Sequence, residues 1–186
     1  MSTYQTQGII LKKTDQGEAD QLFSIYTERN GKVLAIGRGT KKIRSKLNGS
    51  LRYFAVLDLL VASGKRYDHI AGVQVITNFP AIQNDLKKII LASFALELVE
   101  KLTKVGQPDD KIFTLLLKYF SALGGNSFGD QEWQIIRRAF MVKLLSLLGF
   151  APQDEIISDV KKLDNFLKNH LDSELLTEKF LVKIST

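Results

Sequence analysis

The residues with the most evident chemistry are five cations in a row of nine: Arg38, Lys41, Lys42, Arg44 and Lys46. They sit beside Gly37, Gly39 and Thr40, a composition that suits a mobile basic loop leaving a strand. Such a loop grips a phosphate backbone by neutralising successive charges. Arg52, Lys65 and Arg66 follow as further phosphate contacts, and Tyr26, Tyr53 and Tyr67 flank charged residues where an aromatic face can stack on a base. Phe23 and Phe54 are assigned to the interior instead. Residues 1–79 hold twelve Lys and Arg against six Asp and Glu, a surplus of six, whereas residues 80–186 hold fourteen of each. The whole net charge therefore belongs to the first module. The alternative for the basic run is a solvated loop that keeps the protein soluble.

Catalytic chemistry finds little support. The chain has no cysteine and two histidines, His69 and His170, so a thiolate zinc site, a disulfide framework and a cysteine nucleophile are all excluded. Asp15, Glu18 and Asp20 miss the calcium-loop spacing and suit a turn. Asp109 and Asp110 stand where a helix begins and acids favour its dipole. Gly37 to Lys42 lacks the spacing of a nucleotide-binding P-loop. No enzyme, cofactor, metal or small-molecule substrate is expected. No apolar run reaches the ~18 residues of a membrane span, and Met1 to Gln7 lacks a signal-peptide core. A cytoplasmic location is expected.

The elements that must position these residues change type near Pro80. Before it, strands are predicted over Gly8–Lys13, Leu22–Thr27, Val33–Arg38, Leu51–Ala62 and Tyr67–Thr77. Asn30-Gly31 is the strongest hairpin signal, with both residues expected at positive φ. Five strands in so short a stretch suit a small closed barrel that leaves no exposed edge, of the OB-fold or an SH3-like kind. After Pro80 the apolar residues recur at helical spacing. Leu86, Ile90, Phe94, Leu98 and Leu102 mark one helix, ended by Gly106 and Pro108. Further helices are predicted over Asp109–Leu123, Asp130–Leu148 with Gly149 as its cap, Asp159–Asn169 and Ser173–Ile184. The fold class is α+β: a five-stranded barrel over 1–79, then an α-helical bundle over 80–186.

Several segments in order resemble the RecO family of bacterial recombination mediators. They are Gly8 to Leu22 (GIILKKTDQGEADQL), Tyr26-Thr27, Asn30 to Val33, Gly37 to Gly39, Lys46-Leu47, Gly49 to Leu51, Asn78 to Pro80, and Arg138 to Pro152 (RAFMVKLLSLLGFAP). The resemblance implies an N-terminal OB-fold followed by a helical domain. It also implies a protein that binds single- and double-stranded DNA, anneals complementary strands, and works with RecR. Such a protein engages the single-strand-binding protein SSB and helps load RecA in DNA repair and homologous recombination on the bacterial nucleoid. Arg137, Arg138 and Lys143 are then expected to meet the acidic tail of SSB. The sequence departs from the family in one respect. Many members carry a four-cysteine zinc motif where this chain reads Gln153 to Ser158, which contains no cysteine. Two other functions remain open: a generic OB-fold binder of single-stranded nucleic acid, and a scaffold for repair proteins that does not touch DNA.

Overall fold

The computed structural model describes residues 2–42, 47, 49–125, 129, 132–150, 163, 175–177 and 180. Five strands come first: β1 (Thr3–Gln16), β2 (Asp20–Thr27), β3 (Gly31–Gly37), β4 (Ala55–Ala62) and β5 (Asp68–Asn78). They close in the order β1-β2-β3-β5-β4. All neighbours are antiparallel except β3 and β5, which run parallel through Ala35–Asp68 and Ile36–His69. This is the OB-fold barrel that the family resemblance implies; the strand count alone leaves an SH3-like barrel equally open.

β1 is the strand that makes closure possible. Its first half pairs with β4 and its second with β2, and Gly8 faces Leu57 on one side and Thr27 on the other. A register shift between Ile10 and Lys12 bends it, as an extra residue in one strand does. Ile10, Phe23, Ile25, Ala35, Leu57, Leu59 and Val61 are fully buried inside the barrel. Each large side chain among them contributes about 1.5–3 kcal/mol by leaving water. Leu51 joins this core and Leu47 packs against it, so the β3–β4 connection plugs one end of the barrel.

The largest differences from the sequence reading are at the starts of β1 and β4 and in the β2–β3 hairpin. β1 starts five residues early, because its outward residues Thr3, Gln5 and Gln7 are exposed and its inward Thr6 and Gly8 are not apolar, so no hydrophobic run announces it. β4 starts four residues late: Phe54 has a φ of 56°, a left-handed backbone that a strand cannot contain. The β2–β3 hairpin has a three-residue loop, Glu28–Asn30, closed by Thr27 and Gly31. Among its residues and its closing pair, Gly31 alone has positive φ, at 65°.

The helices are α1 (Pro80–Gln83), α2 (Leu86–Leu102), α3 (Asp110–Gly125) and α4 (Glu132–Leu147). Asp85 accepts the Lys87 and Lys88 amides at 2.9 and 3.2 Å, and Asp109 accepts the Lys111 amide at 2.9 Å, so each carboxylate caps a helix start. α4 ends in a Schellman motif: Phe150 donates to Leu145, Gly149 donates to Ser146, and Gly149 has a φ of 76°. α2 stops at Leu102, before the expected breakers Gly106 and Pro108, because Val105 forms a parallel bridge to Lys32 of β3.

The chain divides into two compact units: residues 1–80 with 103–114, and residues 81–102 with 115–186. In the second, the Tyr119 hydroxyl of α3 donates to the Leu91 carbonyl of α2, and its ring lies 4.6 Å from that of Phe140 in α4. The Glu97 carboxylate of α2 accepts the Leu176 and Thr177 amides and the Thr177 hydroxyl at 2.7–3.0 Å. The helices expected over 159–169 and 173–184 otherwise lie outside the described residues.

Candidate nucleic-acid interface

Strand direction decides which loops share an end of the barrel. The β1–β2 and β3–β4 loops emerge together, and the β2–β3 and β4–β5 loops emerge at the other end. In OB-folds the β1–β2 and β4–β5 loops flank the β2–β3 face that takes oligonucleotides.

At the first end the basic segment is a pinned turn over its described part, where a mobile loop was expected. The Gly39 amide donates to Asp20 at 2.7 Å, the Lys41 amide to the Ala19 carbonyl at 3.0 Å, and the Lys42 amide to the Gly39 carbonyl at 3.0 Å. The Thr40 hydroxyl, buried, donates to the Gly37 carbonyl. Arg38 and Lys42 are exposed on this turn. Lys41 is committed: its ammonium lies 2.9 Å from Asp15. Arg44 and Lys46 lie outside the described residues. Arg52 is exposed and donates from Nε to the Gly49 carbonyl at 3.1 Å, which ties it to the return of the loop.

Lys13 holds that return in place. Its ammonium donates to the Leu51 carbonyl at 2.7 Å and lies 4.8 Å from the centre of the Tyr53 ring. Its backbone amide donates to the Tyr53 hydroxyl at 3.0 Å. Burial lowers the Lys13 pKa from its ordinary value. Nothing in the spacing of Lys13 set it apart from Lys12; only the return of the loop over β1 gives it this role.

Asp15 tunes the same end. The Lys41 ammonium and the Gln21 amide hold its carboxyl below the usual aspartate range. Because the folded pKa is depressed, the pair's contribution is present above the ordinary aspartate pKa and is lost as pH falls through the lowered value. Near neutral pH the pair is intact and occupies Lys41. Replacing Asp15 by Asn frees that cation. DNA affinity is then expected to rise about two- to fivefold and the salt slope to steepen by about 0.9 for one added phosphate contact, read by anisotropy at several salt concentrations.

The three aromatic candidates separate. Tyr26 is a correction: it is fully buried, its hydroxyl donates to the Asp109 carbonyl at 3.2 Å, and burial pushes its pKa up to about 12. No face of it is open to a base, because residues 103–114 cover that part of β2. Tyr53 is partly buried with one face under Lys13. Tyr67 is partly exposed, with the Arg66 guanidinium 5.1 Å from its ring centre. Lys65 and Arg66, both exposed, belong to the β4–β5 loop at the other end of the barrel. The sequence reading missed Arg29, exposed in the β2–β3 loop at that same end. Phe54, expected in the core, is only partly buried and lies outside the barrel cluster.

In the second unit, Arg137 turns inward, its guanidinium 4.4 Å from the centre of the Phe94 ring. Lys143 is exposed and Arg138 partly buried. At about 100° per residue the three point in different directions around α4, so they do not form one basic edge.

Among the described residues no helix is long and apolar enough to cross a membrane. No cluster of metal-ligating side chains occurs among them either.

The family profile described as "Recombination protein O N terminal" matches residues 1–79, and "Recombination protein O C terminal" matches residues 83–154. The chain is 33% identical over 152 residues to a DNA repair protein RecO of Pelotomaculum thermopropionicum, covering 82% of this chain and 57% of that protein. It is 31% identical over 151 residues to one of Gloeothece citriformis, covering 81% and 53%. For one of Symbiobacterium thermophilum the identity is 30% over 152 residues, covering 82% and 59%. The chain thus spans between half and three fifths of the length of these relatives. With the five-stranded barrel, the helices after it and both family profiles in agreement, this chain belongs to the RecO family.

Proposed function

We propose that the chain binds single- and double-stranded DNA through the first end of its barrel and serves as a mediator of DNA repair and homologous recombination. In this role it anneals complementary strands and, with RecR, helps load RecA onto strands covered by SSB. The observation that carries this reading is the fixing of the basic β3–β4 turn against the end of the β1–β2 loop, where Glu18 and Asp20 are themselves acidic, on a barrel unit that holds the chain's whole charge surplus. The names of its relatives point the same way. Fixed cations at a barrel rim contact phosphates of any sequence, which suits a protein that must act on whatever strand is exposed. Two DNA strands repel, and cations held between them screen that repulsion within about a Debye length. The role is one of binding, with no bond made or broken. The protein works in the cytoplasm, on the nucleoid. Any contact with the SSB tail falls to Arg138 and Lys143 rather than to Arg137.

The test is the annealing of complementary strands precoated with SSB, with and without the protein. Acceleration of about tenfold or more is expected. Intact DNA binding with no acceleration, even after RecR is added, would leave a generic strand binder and overturn the mediator reading.

A further inference from the structure

The seam that closes the barrel leaves a cleft. β3 and β5 pair only from Ala35 onward, so the first half of β3 runs past the start of β5. Val105 and Gly106 come alongside it: Val105 bridges Lys32, and the Gly106 amide donates to the Lys32 carbonyl at 2.9 Å. Between β3, this segment and the β4–β5 loop lies a cleft of about 430 Å³. All of its lining belongs to the barrel unit.

The lining has three chemistries. Leu34, Val105 and Pro108 supply apolar surface. Arg29 and Arg66 supply two exposed guanidinium groups, the first 3.9 Å from the Glu28 carboxylate and the second 5.1 Å from the centre of the Tyr67 ring. Asp68 supplies a carboxylate that accepts the Tyr4 hydroxyl at 2.6 Å and the Gly64 amide at 3.1 Å. A guanidinium fork matches phosphate oxygens with two parallel hydrogen bonds. An acidic peptide would meet the arginines too, but a nucleotide also presents a flat, uncharged base to the apolar wall of Leu34, Val105 and Pro108. The volume lies in the range of pockets for single small ligands, ~300–1,000 Å³, and is far too small for a base pair with its stacked neighbours.

We infer that this cleft takes one nucleotide of a single strand, its phosphate on Arg29 and Arg66 and its base against Val105, Leu34 and Pro108. The inference rests on the DNA-binding reading and adds strand selectivity to it. The basic edge at the first end holds phosphates of either form of DNA. The cleft at the other end admits only a base that has no partner.

Val105 is 54% exposed, so a larger side chain there fills the cleft without entering the core. The test uses the full chain with Val105→Trp, and separately with Arg29→Ala and Arg66→Ala together. Anisotropy is read on a labelled 20-nucleotide single strand and on a duplex of the same sequence. Each variant is expected to lose about tenfold or more on the single strand and less than twofold on the duplex. Retained duplex binding shows that the variant is folded. Equal losses on both probes, or no loss on the single strand, would overturn the cleft assignment and leave the DNA-binding reading standing. Failure of the unaltered protein to bind either probe would overturn both.

Discussion

Alanine at Arg38, Lys42 and Arg52 together is expected to weaken duplex binding by on the order of 100-fold or more at 50 mM salt. The dependence of log K on log salt should flatten by about 2.7, at roughly 0.9 per phosphate contact removed. These three residues are exposed at the end where the β1–β2 and β3–β4 loops meet, as is Lys41. Arg38 and Lys42 stand on a turn fixed by Asp20 and Ala19, so little order has to be gained when DNA arrives. Lys41→Ala provides the comparison. Lys41 lies beside the other two in sequence but is paired with Asp15, so its loss alone should change the slope by well under one unit. If the triple variant kept the full slope, the phosphates would be held elsewhere. If Lys41→Ala matched Lys42→Ala, the pairing with Asp15 would not govern access to the cation.

Gly31→Ala is expected to cost about 3 kcal/mol or more, with a fall in Tm of roughly 6–12 °C for a chain of this size. Two effects act at one atom. At a φ of 65° an L-residue pays about 1–2 kcal/mol. The added Cβ would also lie 2.2 Å from the Gln107 carbonyl oxygen, and backbone cannot swing aside as a flexible side chain can. Gly17 isolates the first effect: its φ is 73°, yet nothing lies within 4 Å of a Cβ there. Gly17→Ala should therefore cost only about 1–2 kcal/mol. The contrast reports how tightly residues 103–114 are seated on β3. Equal thermal shifts for the two variants would mean that the segment yields readily. The same seating buries Tyr26 and builds one wall of the cleft, so Gly31→Ala should also weaken single-strand binding in the fraction that stays folded.

Much of this was legible in the sequence, and the lapses have physical reasons. Five strands and helices α2, α3 and α4 follow from alternation, turn residues and helical stripes. The Gly149 cap and the acids at the start of α3 were read correctly, because capping is local chemistry. The early start of β1 was hidden because an outward-facing polar half-strand carries no apolar pattern. The Asn30-Gly31 signal gave the hairpin but not its loop length. Tyr26 alternated correctly to the outside of the barrel, and only the return of residues 103–114 covers it. That return was invisible: Val105 and Asp109 reach β2 and β3 from about eighty residues away, and no local pattern encodes such a contact. Net charge located the binding unit, but it could not separate Lys41, which is paired, from Lys42.

The most direct measurement is binding of the unaltered protein to a short single strand across a series of salt concentrations. Single strands give a slope of about −0.7 per phosphate contacted. With at least three cations engaged, log K should fall against log salt with a slope of about −2 or steeper. A slope near zero, or no binding at moderate salt, would contradict the claim that this barrel meets DNA through its basic edge.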